Sequence, residues 1–330
     1  MLKITDFDYD LPKELIAQYP LPKRDAARMQ IINRRGCAVE DSFFTKLSDY
    51  LREGDLLVLN DTRVLAARLL GRRATGGRVE VLILGRKNGM TFRALLKPGR
   101  VKLGEKIIFN GQTLYGELTG KNEITFSTED PEEIYRHGVM PLPPYIKRPS
   151  RDEDKTDYQT VYARQDGSIA SPTAGLHFTE RLLSEIRSRK VNIACVTLHI
   201  GYSTFKPVKA EDVTLHKMEP EYFNIPQETA QTIEDTRSRG GRVIAVGTTA
   251  MRALETFAEG RREGQTDLFI YPGYTFKITD CLLTNFHLPR TTLFMLVCAF
   301  AGEDLAKRAY REAVVKEYRF YSYGDAMLIV

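Results

Sequence analysis

The sequence predicts an α/β protein with a distinct β-rich stretch in its first half. Strands and helices alternate from about Tyr158 to the end, which is the pattern of a layered α/β fold. Between Asp55 and about Glu133, short β-prone runs follow one another at close spacing, punctuated by glycine and asparagine. Hydrophobic residues make up 42% of the 330 and charged residues 28%, the balance of an ordinary globular chain long enough for about two domains.

Near the start, a short helix is expected over Leu11–Gln18 with Pro12 in its first turn. A second is expected over Asp41–Arg52. Asp41 would cap it, Phe43, Phe44, Leu47 and Leu51 would share a face, and Gly54 would end it. The β-prone runs are Leu56–Leu59, Val79–Leu84, Thr91–Leu95, Ile107–Phe109, Leu114–Leu118 and Glu123–Phe126. Their spacing suits a small barrel or sandwich. The prolines of Met140–Pro144 favour an extended return segment. Later helices are expected at Thr179–Lys190, Gln227–Arg239, Thr249–Glu259, Thr291–Ala301 and Glu303–Tyr318. Strands are expected at Ile193–Ile200, Arg242–Val246, Leu268–Ile270 and Cys281–Thr284.

The net charge of +5 permits a polyanionic partner without requiring one. Its distribution says more. Residues 63–106 hold twelve Lys/Arg and two Glu, a local excess of +10, so the remainder sums to −5. A solvated surface needs less than that, and a nucleic-acid footprint accounts for it. The four cysteines, Cys37, Cys195, Cys281 and Cys298, form no C-x-x-C pair and read as reduced thiols, with no metal expected. The aspartates within Met1–Asp10 argue against a signal peptide. The longest apolar run, Leu293–Ala301, is nine residues, where a bilayer needs about 20. A soluble cytoplasmic monomer is the expectation.

Familiar catalytic signatures are absent or broken. No G-x-G-x-x-G occurs, Gly99–Gly104 is followed by Glu105-Lys106 instead of Lys-Ser/Thr, and Gly201-Tyr202-Ser203 lacks the second glycine of a nucleophile elbow. Four other segments are built for a site. In Ser168–Thr179, small residues with Pro172 and Gly175 would let backbone approach a ligand, and His177 stands where a helix begins. In Val196–Gly201, alternation turns Val196, Leu198 and Ile200 to one face and Thr197 and His199 to the other. Val243–Thr249 runs strand, glycine, two hydroxyls, helix. On that helix Arg252 and Glu255 stand three apart, where they could either pair with each other or serve a ligand. In Asp280–Pro289, Asn285 and His287 follow a buried-looking strand, at the usual address of binding residues in α/β folds. Residues alone support acid–base chemistry on a polar ligand.

Collinear blocks then carry a resemblance. Asp8–Gln18, Arg24-Asp25 with Arg28, Asn60–Val64, Tyr158–Tyr162, Pro172–Thr179, Thr197–Gly201, Val246–Thr249, Thr284–Pro289 and Tyr318–Met327 resemble the S-adenosylmethionine:tRNA ribosyltransferase-isomerase family of the queuosine pathway. The resemblance runs nearly end to end. It implies a larger layered α/β domain (1–60 with 150–330) interrupted by a small antiparallel β-barrel (61–149). It also implies a reaction without a prosthetic group. The ribosyl part of S-adenosylmethionine would pass to 7-aminomethyl-7-deazaguanine at the tRNA wobble position and rearrange to the epoxycyclopentane of epoxyqueuosine. Adenine and methionine would leave.

On this reading His177, His199 and His287, helped by Asp280, are the candidates for proton transfer, because imidazole titrates near neutrality. Thr173, Gly175, Thr248, Thr249, Arg252, Glu255 and Asn285 are the candidates for holding substrate. Arg68, Arg72, Arg73, Arg78, Arg86 and Lys87 are the candidates for the tRNA backbone. The chain departs from the family pattern at Ser203, where a glycine is usual, and at Glu219, where a histidine is usual. Two competing readings are a non-catalytic RNA-binding module resting on the basic stretch and a hydrolase using Ser203.

Overall fold

The computed structural model describes residues 1–109, 113–202, 208 and 210–330, so Ser203 lies outside the described residues. The chain opens with 3₁₀ turns at Ile4–Phe7, Lys13–Leu15 and Arg24–Ala26. The hairpin β1 (Arg28–Asn33) and β2 (Ala38–Phe43) follows, then a 3₁₀ segment at Phe44–Tyr50 and β3 (Leu56–Asn60). After β4 (Thr62–Val64), six strands roll up: β5 (Arg68–Arg73), β6 (Arg78–Asn88), β7 (Thr91–Lys97), β8 (Lys106–Phe109), β9 (Leu114–Gly120) and β10 (Glu123–Phe126). Short helices α1 (Pro131–Arg136) and α2 (Asp154–Asp157) lead back to β11 (Gln165–Ser168). The rest alternates: α3 (Glu180–Ser188), β12 (Asn192–Leu198), β13 (Glu221–Asn224), α4 (Gln227–Ser238), β14 (Val243–Val246), α5 (Thr248–Phe257), β15 (Glu263–Thr266), β16 (Cys281–Asn285), α6 (Thr292–Ala301), α7 (Glu303–Val315) and β17 (Ala326–Ile329).

The architecture is α/β with a closed antiparallel barrel. A nine-stranded sheet has the order β15-β13-β12-β3-β14-β16-β17-β1-β2, and the barrel the order β10-β7-β6-β5-β8-β9. Strands β12, β3, β14 and β16 run parallel. Strands β3, β14 and β16 are buried throughout, so they read as unbroken apolar runs. Leu56 and Val58 face a core built with α4 to α7. Leu57 and Leu59 face a second core built with α3 and the Phe44–Tyr50 segment. The chain passes from β3 outward to β12, then back across to β14 and β16. Because crossovers keep one hand, α3 covers one face while α4 and α5 cover the other. The reversal opens a crevice between the carboxyl ends of β3 and β14.

Several expectations shift. Residues 11–18 form only the 3₁₀ turn Lys13–Leu15, and Asp41 lies in edge strand β2, where it accepts hydrogen bonds from Tyr318 (2.7 Å) and Lys316 (2.8 Å) instead of capping a helix. The aromatic spacing that suggested a helix is met by one strand residue and a 3₁₀ segment. Thr179 and Thr291 are caps, accepting from Leu182 and Phe294 amides. The strand near Leu268 is instead β15, a few residues earlier, paired with β13.

The chain leaves the sheet along β4 and returns along β11, and these two strands pair in parallel. Val64, Met140, Leu142, Ile146, Tyr158, Leu176 and Tyr323 fill the junction beside them. At its edge, fully buried Asp154 accepts two hydrogen bonds from Arg148 (both 2.7 Å), one from the Arg151 amide (2.7 Å) and one from the Tyr323 hydroxyl (3.1 Å). Burial alone would raise its pKa, but these bonds outweigh burial and hold it below the ordinary value. The stabilisation is complete above the unfolded value of about 3.9 and is lost as pH falls through the depressed one. Asp154→Ala leaves a buried guanidinium unpaired, so chemical denaturation should show a loss of about 3–5 kcal/mol at pH 7. The gap between wild type and Asp154→Asn should close below pH 4. A pH-independent gap would show that the charge is not what matters.

Candidate functional site

At the crevice between β3 and β14 lies a small pocket of about 60 Å³, partly open to solvent. Three strand ends supply its polar groups. After β14, Gly247 takes φ +88° and turns the chain into α5, whose first residues Thr248 and Thr249 line the cavity. Among the described residues no side chain caps α5, so its amino end is open to a polar ligand group. At and just after the end of β16, Thr284, Asn285 and His287 point to the same space. From the turn Thr173–His177, Thr173 joins them and donates its hydroxyl to Asn285 Oδ1 at 3.0 Å. The described lining residues include no Asp, Glu, Lys or Arg.

The three histidines are not brought together. His287 lines the cavity, with Nε2 3.0 Å from Thr284 Oγ1 and its amide donating to the Tyr310 hydroxyl at 3.1 Å. Its carbonyl accepts from the hydroxyl of Tyr9. His177 lies behind Asn285, in an adjoining recess with Arg24 and Asp157. Its Nε2 accepts from Asn285 Nδ2 at 3.1 Å, it bonds the backbone of Arg24, and its ring packs 4.9 Å from Phe44. His199 stands at the root of the barrel. Nδ1 is 2.8 Å from Thr62 Oγ1, the ring stacks on Tyr222 at 5.4 Å, and a Cβ on Gly167 would come within 2.7 Å of Nε2.

Burial sets the charge of these rings. It pushes His287 down to about 3. His177 falls to about 4, mainly by burial, with the Arg24 backbone bond pulling the other way. Burial also lowers His199, against the pull of Asp166. The expectation that these groups titrate near neutrality therefore fails for His177 and His287.

Other expected residues stand outside the cavity. Asp280 is exposed at the start of β16, the far end of that strand from Asn285, and accepts the Val243 amide at 2.8 Å. Arg252 and Glu255 do not pair with each other. Arg252 is buried against Glu221 and donates to the Leu268 carbonyl at 2.9 Å. Glu255 accepts the amides of Lys277 (2.8 Å), Ile278 (3.2 Å) and Thr279 (2.9 Å). Gly175 is a glycine because a Cβ there would sit 2.0 Å from the Tyr162 hydroxyl, so packing and not ligand approach explains it. Residues that the polar reading missed also line the cavity: Ser171, Tyr145, Tyr158, Tyr321 and Ser322. Tyr158, Tyr321 and Ser322 lie in the blocks that carried the resemblance, but hydroxyl and aromatic residues show no pattern that marks them as lining. Glu219 is exposed.

On the barrel, the six basic candidates do not form one patch. Arg73 pairs with Glu105 (2.5 Å), Arg68 with Glu80 (3.4 Å) and Lys87 with Glu123 (2.7 Å), while Arg86 closes the β6–β7 hairpin on the Gly89 carbonyl (2.6 Å). Arg72 and Arg78 flank a broad groove of about 1090 Å³ together with Lys97 and Leu70. Arg78 and Arg86 are at opposite ends of β6, roughly 26 Å apart at strand rise.

The profile of the queuosine biosynthesis protein family matches residues 4–329. The chain belongs to the queuosine biosynthesis family. Among curated members, the S-adenosylmethionine:tRNA ribosyltransferase-isomerase of Sulfurihydrogenibium sp. (strain YO3AOP1) is 50% identical over 337 residues, and that of Symbiobacterium thermophilum 51% over 343, each over the full length of both chains. The crystal structure of S-adenosylmethionine tRNA ribosyltransferase from Thermotoga maritima is similar at 38% identity and a TM-score of 0.58, over 98% of this chain and 100% of that one. As a queuosine biosynthesis protein this chain is an enzyme of the transferase class. Among the described residues, no helix is long and apolar enough to cross a membrane, and no group of three or more His, Cys, Asp or Glu could hold a metal ion.

The depressed imidazoles give this family member a checkable signature. In ¹⁵N-detected titrations, His177 and His287, assigned through His177→Asn and His287→Asn, should stay neutral from pH 8 down to 5.5. A step near pH 6.5 that vanishes in either variant would contradict it.

Proposed function

We propose that this enzyme transfers and isomerises the ribosyl group of S-adenosylmethionine onto 7-aminomethyl-7-deazaguanine at the tRNA wobble position. The product is epoxyqueuosine tRNA, with adenine and methionine released. The observation that carries the reading is full-length identity of about half with curated ribosyltransferase-isomerases. The cavity supports it in chemical terms. S-adenosylmethionine brings its own electrophile, a sulfonium whose charge acidifies the neighbouring C5′–H. The hydroxyls of Thr248 and Thr249 can donate to a ribose, and that of Thr173, whose proton goes to Asn285, can accept from one.

Neutral His287 serves in this reading as a hydrogen-bonding group at the sugar, not as an imidazolium acid. His177 acts through Asn285. His199 stands apart from the sugar site. S-adenosylmethionine is a co-substrate, tRNA the macromolecular partner, and the cytoplasm, where tRNA is found, the place of action. The deciding experiment incubates the enzyme with S-adenosylmethionine and tRNA bearing the 7-aminomethyl base. Free adenine, free methionine and a mass gain on the tRNA are expected together. S-adenosylmethionine left intact, with tRNA unchanged, would sink the proposal. A hydrolase or a passive RNA-binding module would also leave the tRNA mass unchanged.

The barrel groove flanked by Arg72 and Arg78 is the proposed contact for the tRNA backbone, because among the described residues neither arginine is engaged with a carboxylate as Arg68, Arg73 and Lys87 are. Each phosphate neutralised adds about 0.7–0.9 to the slope of log K against log salt. Arg72→Glu with Arg78→Glu should weaken tRNA binding and flatten that slope, with S-adenosylmethionine affinity unchanged. An unaltered slope would move the RNA contact off this groove.

A further inference from the structure

Resting on that reading, we propose that the cavity holds the nucleoside half of S-adenosylmethionine. Tyr321, buttressed by Tyr145, is the wall for the purine ring, and Ser171 is a hydrogen-bond partner for the nucleoside. Neither tyrosine, nor Ser171, is among the polar strand-end residues that first marked the site.

Tyr321 adopts φ +73°, a left-handed conformation that a bulky L-residue enters only when its surroundings force it. Two backbone bonds do so. Its amide donates to the Phe286 carbonyl at 3.0 Å, and its carbonyl accepts from the Gly324 amide at 3.0 Å. Phe286 stands between Asn285 and His287, so the strain locks Tyr321 to the segment that carries the cavity's polar groups. The ring packs edge to face against Tyr145. The Tyr145 hydroxyl is already engaged by Ser322 Oγ at 2.5 Å, so what Tyr145 contributes here is its ring. Ser171 is 4% exposed and lines the cavity, yet its hydroxyl has no partner among the described residues. A buried hydroxyl left unpaired is costly unless a ligand completes it.

Charge selects which half of the ligand enters. The amino-acid end of S-adenosylmethionine carries a carboxylate and an ammonium, and charges enter a buried space only when paired. The described lining offers no ionic partner, whereas an uncharged purine and ribose match aromatic faces and hydroxyls. The amino-acid end therefore points to the mouth.

Binding of adenosine, methionine, S-adenosylhomocysteine and S-adenosylmethionine is measured by calorimetry, with tRNA present, on wild type, Tyr321→Gly, Tyr321→Leu, Tyr321→Phe and Ser171→Ala. Wild type should bind adenosine but not free methionine. Tyr321→Gly relieves the strained backbone but removes a buried ring, so it should melt lower than wild type and bind adenosine and S-adenosylmethionine at least tenfold more weakly. Tyr321→Leu keeps bulk without a flat ring and should show the same loss, which decides the matter if the glycine variant is unstable. Tyr321→Phe should bind as wild type. Ser171→Ala should cost several-fold. Undiminished adenosine binding in both Tyr321→Gly and Tyr321→Leu overturns the inference, as does methionine binding where adenosine does not. A loss confined to S-adenosylmethionine and absent for S-adenosylhomocysteine would make the ring a sulfonium contact instead, and also overturns it. Failure of wild type to bind S-adenosylmethionine at all, with or without tRNA, falls on the proposed function rather than on Tyr321.

Discussion

The side-chain amide of Asn60 joins the segments on which the cavity depends. It is fully buried, and both its ends are occupied. Nδ2 donates to the Leu198 carbonyl at 3.0 Å and to Thr249 Oγ1 at 3.1 Å, while Oδ1 accepts the amides of Leu198 at 3.0 Å and Thr62 at 3.2 Å. One residue thus fastens the end of β3 to the end of β12, to the first turn of α5 and to the strand that departs for the barrel. A buried amide with every bond made is rigid, and an aliphatic replacement would orphan four backbone or hydroxyl groups at once. The crevice left by the reversal of strand order keeps its shape because this amide bridges it.

Burial governs the chemistry as well as the packing. The same apolar layers that make β3, β14 and β16 central also strip charge from His177 and His287. With Asn285 donating to His177 and accepting from Thr173, the polar groups behind the cavity form a neutral chain with fixed donor and acceptor ends. Such a chain orients a ligand without competing electrostatically with a cationic one.

Much of the layered fold was legible in the chain because buried parallel strands are written as apolar runs, as in Val243–Val246 and Cys281–Asn285, and because Thr179 and Thr291 are sound helix caps. The opening hairpin was not. The spacing of Phe43, Phe44, Leu47 and Leu51 imitates a helix, and only the pairing of β2 with β1 decides otherwise. Polar residues at strand ends pointed to Thr248, Thr249, Asn285 and His287, all of which reach the cavity. Asp280 could have been set aside by strand direction, since it precedes β16 rather than following it. Tyr321 had no such signal. Its place depends on φ, and φ depends on bonds to Phe286 and Gly324 that no local pattern encodes. The +10 excess already counts Glu80 and Glu105, which pair with Arg68 and Arg73; what lowers the free charge further is the pairing of Lys87 with Glu123 and of Arg63 with Asp166.

The side-by-side exit and return of the chain at β4 and β11 also bears on how the protein folds. Strand β3 must find β12 across more than a hundred residues, and closing a loop of that length costs about 4 kcal/mol in entropy. The barrel's own pairings are mostly between neighbours in sequence, so it can close early. Once β4 and β11 have paired across the closed barrel, Val64 and Ser168 are together and only a short span is left to be ordered, which lowers the closure cost by about 1–2 kcal/mol. The inserted strands therefore act as a splint during assembly, shortening the search of the sheet that surrounds them in sequence.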